Sequence, residues 1–272
     1  MLELGLDGTV ALVTGAGRGI GKGIALELAR RGARVVACAR SQRELEETKA
    51  EASDLPGSIT ISALDVTDGR AVTDLVRRTE SELGPIRLLV NNAGICAALG
   101  RFGEVAFSEW WRDVEVNLGG AVTCASAVVP GMRDAGGGRI VNVISAAAFA
   151  RLPLWTAYST SKAALHAFTE CLAADLGDEA IRVFSLDPGF VNTTLVKRAV
   201  GAGIDSVAEQ FRMFMAAGLD VPLERPVALA AALCAGESDE QTGTVFCADE
   251  EFSRMVTGPR RPGNQTDGVE DA

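Results

Sequence analysis

The residues best suited to proton-transfer chemistry are a tyrosine and a lysine placed about one helical turn apart. Tyr158, the only tyrosine of the chain, and Lys162 are four residues apart in a segment with helical periodicity, so their side chains share one face. A neighbouring ammonium favours the phenolate and lowers the pKa of a tyrosine, which suits general acid or base catalysis near neutral pH. Ser145 is a separate candidate, because it follows a predicted central strand at the end where ligands bind in parallel sheets.

A glycine-rich turn near the N-terminus could hold a phosphate group. It reads TGAGRGIG over residues 14–21, directly after a predicted strand, and a helix is predicted to begin near Gly19. Free backbone N–H groups and the helix dipole attract anions at such a junction, and glycines let a pyrophosphate approach closely. The spacing is TGxxxGxG, through Gly15, Gly19 and Gly21, and its position on the first strand–helix turn favours a nucleotide site over a purely structural turn.

Two arginines bear on the choice between NAD and NADP. A carboxylate after the second strand of this arrangement binds the ribose 2′-hydroxyl of NAD, whereas an arginine accommodates the 2′-phosphate of NADP. This chain has Arg40 at that point, and Arg18 lies inside the glycine turn. Guanidinium groups pair well with phosphate oxygens, so the two residues together predict NADP(H), with no carboxylate expected beside the phosphate. Each arginine taken alone could equally be a solvated surface residue.

Strands and helices alternate along the chain in the order that would position these groups. The strands are nearly continuous in apolar residues, which indicates a parallel sheet covered by helices on both faces. The sequence therefore predicts an α/β, Rossmann-type, doubly wound parallel sheet of about seven strands in a single domain, residues 1–256, with a substrate lid near 193–220. Residues 257–272 are rich in Gly, Pro and Asp and are predicted to form a flexible tail. The predicted strands are 9–14, 33–39, 58–63, 86–91, 139–144, 181–186 and 244–248, and the helices lie near 19–31, 41–54, 68–83, 108–134, 156–178 and 226–235.

Composition and charge exclude several classes of function. The 272 residues carry a net charge of −10, which disfavours nucleic acid and anionic membrane surfaces as partners. Six scattered cysteines and a single histidine make a zinc site improbable, so no metal is expected. With no basic leader and no long apolar run, the predicted location is the cytoplasm.

The motifs together resemble the short-chain dehydrogenase/reductase family, in its branch of roughly 250 residues. TGxxxGxG is followed by Asp65-Val66 after the third strand and by NNAG over residues 91–94 after the fourth. Asn117, Ser145, the Tyr158–Lys162 pair and a later Pro-Gly follow in the same order and spacing as in that family. The resemblance covers residues 7–250 and implies the family's fold and its hydride-transfer chemistry.

The resemblance also implies a role for each candidate residue. Tyr158 would protonate a carbonyl oxygen, Lys162 would lower the pKa of that tyrosine and bind the nicotinamide ribose, and Ser145 would hold the substrate oxygen. Asn117 would anchor a water molecule that links Lys162 to solvent. The other implied cofactor contacts lie at the adenine, in the cleft and at the nicotinamide: Asp65, Val66, Asn92, Ala93, Gly94, Ile20, Pro188, Gly189 and Thr193.

The predicted activity is NADPH-dependent reduction of a ketone or quinone carbonyl on a bulky, largely apolar small molecule. The predicted pocket wall is formed by Phe149, Leu152, Trp155 and Phe190, with further apolar residues from the lid, Phe211, Met213, Phe214 and Met215. Two alternatives stay open: an NAD-dependent alcohol dehydrogenase of the same fold, and a catalytically silent NADPH-binding protein. Family resemblance further implies a homodimer or homotetramer, with helices 108–134 and 156–178 at a dimer interface.

Overall fold

The computed structural model describes residues 6–150, 152–201 and 203–257, which fold around one seven-stranded parallel sheet. The strand order is β3-β2-β1-β4-β5-β6-β7, and every neighbouring pair is parallel. The predicted doubly wound sheet is therefore confirmed. The strands are β1 Val10–Thr14, β2 Arg34–Ala39, β3 Ser58–Ala63, β4 Ile86–Asn91, β5 Gly138–Val143, β6 Ile181–Asp187 and β7 Val245–Cys247.

Helices cover both faces of the sheet because the strand side chains alternate between two apolar cores. Val13 of β1 faces the core formed with α1, α2 and α9, whereas its neighbour Leu12 faces the core formed with α3, α5 and α6. Both residues are fully buried. The helices are α1 Gly19–Arg30, α2 Gln42–Glu51, α3 Gly69–Leu83, α4 Phe107–Val114, α5 Gly120–Asp134, α6 Thr156–Asp175, α7 Thr194–Val200, α8 Asp205–Ala216, α9 Glu224–Ala235 and α10 Glu250–Thr257.

The chain reverses its direction of winding beside β1, which creates a cleft. β1 pairs with β2 on one side and with β4 on the other, so the connections after β1 and β4 diverge at the carboxyl end of the sheet. Ligands of open parallel sheets bind at such a switch point. The glycine turn, NNAG and Ser145 all follow strands that end at this edge.

The helix predicted over residues 108–134 is interrupted in the structure. Its first part, α4, is separated from α5 by a π-helical turn, Glu115–Gly119, that has Asn117 at its centre. The turn coincides with the side-chain hydrogen bonds of Asn117, which connect it to the chain after β4. Such π turns occur often at functional sites, and hydrophobic periodicity does not reveal them.

The C-terminal third also differs from the prediction. The segment predicted as a lid contains two helices, α7 and α8, and an unpredicted helix, α10, begins at Glu250. The predicted tail lies outside the described residues, except that Thr257 ends α10. No helix in the described part of the chain is long and apolar enough to cross a membrane.

Candidate active site

The glycine turn fits a dinucleotide because its backbone lies against the chain after β4 with no room for side chains. Gly15 has φ +65°, a left-handed conformation that favours glycine. A Cβ on Gly15 would lie 2.8 Å from Asn92 Nδ2, and a Cβ on Gly21 would lie 2.3 Å from the same atom. Asn92 Nδ2 donates to the carbonyl oxygen of Thr14 at 3.0 Å, which holds the turn in place. The backbone of the glycine turn thus lies at the start of α1, as a phosphate-binding turn requires.

Most residues predicted to contact a cofactor lie together around a long cleft at this edge. Gly21 is buried behind the turn, and Pro188 and Gly189 line an adjoining pocket. The cleft also includes Glu44, Ser41 and Cys96, which sequence reasoning missed. The predicted residues that line it are Gly15, Arg18, Gly19, Ile20, Arg40, Asp65, Val66, Asn92, Ala93, Gly94 and Thr193.

The two arginines predicted to hold a 2′-phosphate have different surroundings. Arg40 is exposed at the end of β2. Arg18 forms a 2.7 Å ion pair with Glu44, a residue in the first turn of α2. The expectation that no carboxylate lies beside this part of the cleft is therefore wrong. A carboxylate four residues after Arg40 was visible in the sequence, but its direction depends on where α2 begins.

Asp65 lines the cleft as a charged carboxylate held by hydrogen bonds. Its Oδ1 accepts from the backbone and hydroxyl of Thr67, and its Oδ2 accepts from Arg112 at 2.7 Å. Partial burial raises the pKa of Asp65, but the Thr67 hydrogen bonds and the Arg112 guanidinium outweigh it, so the pKa lies below the ordinary value. The carboxylate is thus fixed in orientation.

Ser145 and Tyr158 meet where the cleft adjoins a second, apolar pocket. Ser145 caps a short 3₁₀ turn, and its hydroxyl accepts from the Ala147 N–H at 3.2 Å. Burial raises the pKa of Tyr158, the charges of Asp187 and Asp113 add to this, and a hydrogen bond with Ser145 opposes it. The direction is opposite to that expected from the Lys162 neighbour, because Tyr158 is only 9 % exposed and desolvation dominates. With its pKa raised by burial, the Tyr158 phenol is uncharged at neutral pH.

Lys162 is buried one turn beyond Tyr158. Its Nζ donates to the carbonyl oxygen of Val143 at 2.7 Å and lies 5.9 Å from the centre of the Tyr158 ring. Burial lowers the pKa of Lys162 to about 8. The amine is therefore mostly charged at pH 7.

Asn117 connects three parts of the site. Its Oδ1 accepts from the Ile95 N–H at 2.7 Å, and its Nδ2 donates to the Ile95 carbonyl and to Ser161 Oγ, each at 2.9 Å. Ser161 precedes Lys162 on α6, so the π turn, the chain after β4 and the helix carrying Tyr158 are held together.

The apolar pocket is built from aromatic rings on three segments. Trp155 contacts Phe211 with ring centres 5.6 Å apart, and Phe211 stacks on Phe190 at 5.5 Å. Phe149, predicted as a wall residue, lies elsewhere: its ring packs edge-on against His166 at 5.1 Å. The predicted residues that do line the pocket are Leu152, Trp155, Phe190, Phe211 and Phe214, joined by Ile20, Val143, Ile144, Leu195 and Val196. Met213 and Met215, predicted as further apolar residues of the lid, are exposed and do not line it.

A buried carboxylate supports the loop between the two pockets. Asp113 on α4 is fully buried and accepts the N–H groups of Ala97 and Ala98 at 3.1 to 3.3 Å. Burial raises the pKa of Asp113. Burial also raises the pKa of the Cys96 thiol, and the nearby Asp113 charge raises it further. A thiol with a raised pKa is unreactive. The described residues contain no group of His, Cys, Asp and Glu suited to a metal.

Comparison with known proteins agrees with this geometry. The model of the short chain dehydrogenase family matches residues 9–202. The short-chain reductase protein NovJ of Streptomyces niveus is 36% identical over 246 residues, which cover 89% of this chain and 92% of that protein. A 3-oxoacyl-[acyl-carrier-protein] reductase of Thermotoga maritima is 37% identical over 195 residues, 71% of this chain and 78% of the relative.

Solved structures share the whole architecture. A short-chain type dehydrogenase/reductase from Mycobacterium marinum has a TM-score of 0.83 and 29% sequence identity, covering 92% of this chain and 97% of the other. Because the family model spans most of the chain and the relatives align well beyond the glycine turn, the chain belongs to the short-chain dehydrogenase/reductase family of NAD(P)-dependent oxidoreductases.

Proposed function

We propose that the protein is an NADPH-dependent oxidoreductase that reduces a ketone or quinone carbonyl of a bulky, largely apolar small molecule. One observation carries the proposal: the hydrogen-bonded Ser145–Tyr158 pair lines an apolar pocket that shares a wall with the nucleotide cleft. Ile20, Gly94 and Thr193 line both spaces. A carbonyl in the pocket could thus contact a proton donor and a nicotinamide together.

Tyr158 acts as the general acid in this proposal. Burial keeps the phenol protonated at neutral pH, which is the state that a proton donor requires. Ser145 donates a hydrogen bond to the same carbonyl oxygen and orients it towards the phenol. When bound, NADPH supplies the hydride for the carbonyl carbon, and the proton from Tyr158 completes the alcohol.

Lys162 and Asn117 support that acid. The charged Lys162 amine has N–H groups beyond the one given to Val143, and these would hold the nicotinamide ribose. Asn117 keeps α6 against the chain after β4 through Ser161. Both residues therefore act by binding and positioning.

Arg40 and Arg18 support NADPH as the preferred cofactor. Both line the adenosine end of the cleft, and a 2′-phosphate bound there would meet two guanidinium groups. The Arg18–Glu44 pair favours the alternative, an NAD-dependent alcohol dehydrogenase, because it engages one of the two arginines. Arg40, with its exposed side chain, gives NADPH the advantage.

The aromatic lining supports a bulky apolar substrate. The pocket offers rings from Trp155, Phe190 and Phe211, and its polar lining includes the hydrogen-bonded Ser145 and Tyr158. This arrangement is usual for small-molecule sites that orient one polar group within an apolar body. We further propose that α7 and α8 form a lid, since Leu195 and Phe211 cover one side of the pocket.

A substrate panel tests this proposal. Purified protein would be mixed with NADPH and, separately, with cyclic diketones, aromatic ketones, quinones and small charged keto acids, while NADPH absorbance is followed. We expect turnover of the ketones or quinones and little turnover of the keto acids. Efficient reduction of small charged keto acids alone would refute the substrate class.

Cofactor choice is tested separately with Arg40→Ala. A charge-assisted contact is worth about 1.5–3 kcal/mol, so the KM for NADPH should rise by about tenfold or more, while that for NADH changes little. Arg43→Ala is the matched control, because Arg43 is an exposed arginine of α2 paired with Glu47. A wild-type enzyme that favours NADH would overturn the NADPH assignment. The predicted homodimer or homotetramer and the cytoplasmic location stay predictions.

A further inference from the structure

The ion pair between Arg18 and Glu44 lies where the two candidate cofactors differ. Arg18 Nη1 is 2.7 Å from Glu44 Oε1, and the side chains are 41% and 25% exposed. Both residues line the cleft together with Arg40 and Ser41. The Glu44 carboxylate and the guanidinium groups of Arg18 and Arg40 therefore lie where the proposed cofactor assignment puts the adenosine 2′-substituent.

The backbone of Glu44 is fixed against the glycine turn. A Cβ on Gly17 would lie 2.9 Å from Glu44 Cβ, so α2 and the turn are in close contact. The Thr48 hydroxyl hydrogen-bonds the carbonyl oxygens of Ala16 at 3.1 Å and Glu44 at 2.9 Å. The Glu44 carboxylate can rotate, but its backbone cannot move away from Arg18 without breaking these contacts.

A 2′-phosphate and Glu44 compete for the same guanidinium. The phosphate carries about two negative charges near neutral pH, and bringing it beside Glu44 costs repulsion between like charges. The guanidinium edge that pairs with Glu44 must be shared or released before it can bind the phosphate fully. A ribose 2′-hydroxyl has no such conflict, because it is neutral and can donate to a carboxylate.

We propose that Glu44 is a specificity-determining residue: it restrains the preference for NADPH over NADH by pairing with Arg18. This inference rests on the proposed function, because it concerns the cofactor assigned there. Replacing Glu44 with glutamine frees Arg18 for the 2′-phosphate, and the amide oxygen can still accept a hydrogen bond from a 2′-hydroxyl, so the binding of NADH changes little.

Calorimetric binding titrations test the inference without turnover. The ligands are NADPH, NADH, 2′,5′-ADP and 5′-AMP, and the proteins are wild type, Glu44→Gln and Glu46→Gln. Glu46 is an exposed residue of the same helix that bonds Gln42, so both variants change the net charge equally. For Glu44→Gln we expect about threefold to tenfold tighter binding of NADPH and 2′,5′-ADP, the scale of a partly exposed charge contact, and less than about twofold change for the other ligands.

Adding Arg18→Ala distinguishes competition for the guanidinium from direct repulsion of the phosphate. If Glu44 acts mainly through Arg18, the gain in 2′,5′-ADP binding from Glu44→Gln should fall to less than about twofold in the Arg18→Ala background, whereas an undiminished gain would show direct repulsion and overturn the role of the ion pair. Unchanged or weaker NADPH binding by Glu44→Gln, or an equal gain for NADPH and NADH, would overturn the inference. Wild-type preference for NADH would instead refute the proposed cofactor, while the change in the NADPH-to-NADH ratio would still decide the role of Glu44.

Discussion

The Asn117 side-chain amide donates a 2.9 Å hydrogen bond to Ser161 Oγ and thereby joins the π-helical turn to the helix that carries Tyr158 and Lys162. Ser161 Oγ in turn donates to the Tyr158 carbonyl oxygen at 2.7 Å. Asn117 and Ser161 are both fully buried, with exposures of 1% and 0%. One amide group thus links the chain after β4 to the helix that carries Tyr158 and Lys162.

Asn117→Ala should therefore cost both stability and activity. The substitution leaves the partly buried Ile95 N–H and carbonyl without their side-chain partner, and an unsatisfied polar group in the interior costs about 1–3 kcal/mol. Because solvent reaches this part of the cleft, we expect the free energy of unfolding, measured by urea denaturation, to fall by about 1–3 kcal/mol. Ser161→Ala, which keeps the Ile95 bonds, is the control and should lose about half as much or less. Equal losses in the two variants would contradict the network.

Tyr158→Phe should slow turnover strongly while preserving cofactor binding. The ring contact with Trp155, with centres 5.9 Å apart, can remain, but the proton donor is lost. General acid catalysis contributes at least about 100-fold, so kcat should fall by that factor or more. NADPH titration should give a Kd close to that of the wild type. A variant with most of its turnover would show that Tyr158 is not the acid.

The pH dependence of carbonyl reduction should follow Lys162. Tyr158 stays protonated because burial raises its pKa, whereas the pKa of Lys162 is lowered to about 8. As the pH rises through about 8, the free enzyme loses the ammonium charge. We expect kcat/KM for the carbonyl substrate to be level below this range and to fall above it, together with NADPH affinity. If kcat/KM stays level up to pH 10, about two units above the pKa of Lys162, the activity does not depend on the Lys162 ammonium.

Lys162→Met should give an inactive but more stable protein near pH 7. The folded-state pKa of Lys162, about 8, lies below its ordinary value of 10.5, so at neutral pH folding must bury a disfavoured ammonium. Methionine removes the cost of burying the charge but also loses the hydrogen bond to Val143. We expect the free energy of unfolding to rise by about 1–2 kcal/mol on balance.

The stability gain expected for Lys162→Met depends on pH in a definite direction. Between about pH 8 and 10.5 the unfolded chain holds the Lys162 proton that the folded protein has lost. In the wild type, the contribution of this group to stability therefore rises through that window. The advantage of Lys162→Met should shrink over the same range. Urea denaturation of both proteins at several pH values measures it, and a variant less stable than wild type at pH 7 would contradict the buried charge.

Local sequence was sufficient to predict the sheet and to indicate which strand ends carry the candidate site, because both depend on short-range patterns. Apolar runs such as residues 86–91 predicted β4 with the bounds that the structure has, Ile86–Asn91. The glycine turn and the Tyr158–Lys162 spacing placed chemistry at the carboxyl edge of the sheet, since parallel strands all end there. The family, the fold and the NAD(P)-dependent chemistry followed from these patterns and agree with the relatives.

Tertiary structure decided what depends on the direction of a side chain and on its surroundings. Glu44 reaches Arg18 only because α2 begins at Gln42 and lies against the glycine turn. Phe149 turns towards His166 because the 3₁₀ turn after Ser145 reorients the chain. The pKa of Tyr158 is raised because desolvation, which depends on every element around the ring, outweighs its hydrogen bond with Ser145. Spacing along the chain carries no information on burial from distant segments, so these properties arise only once the elements have packed.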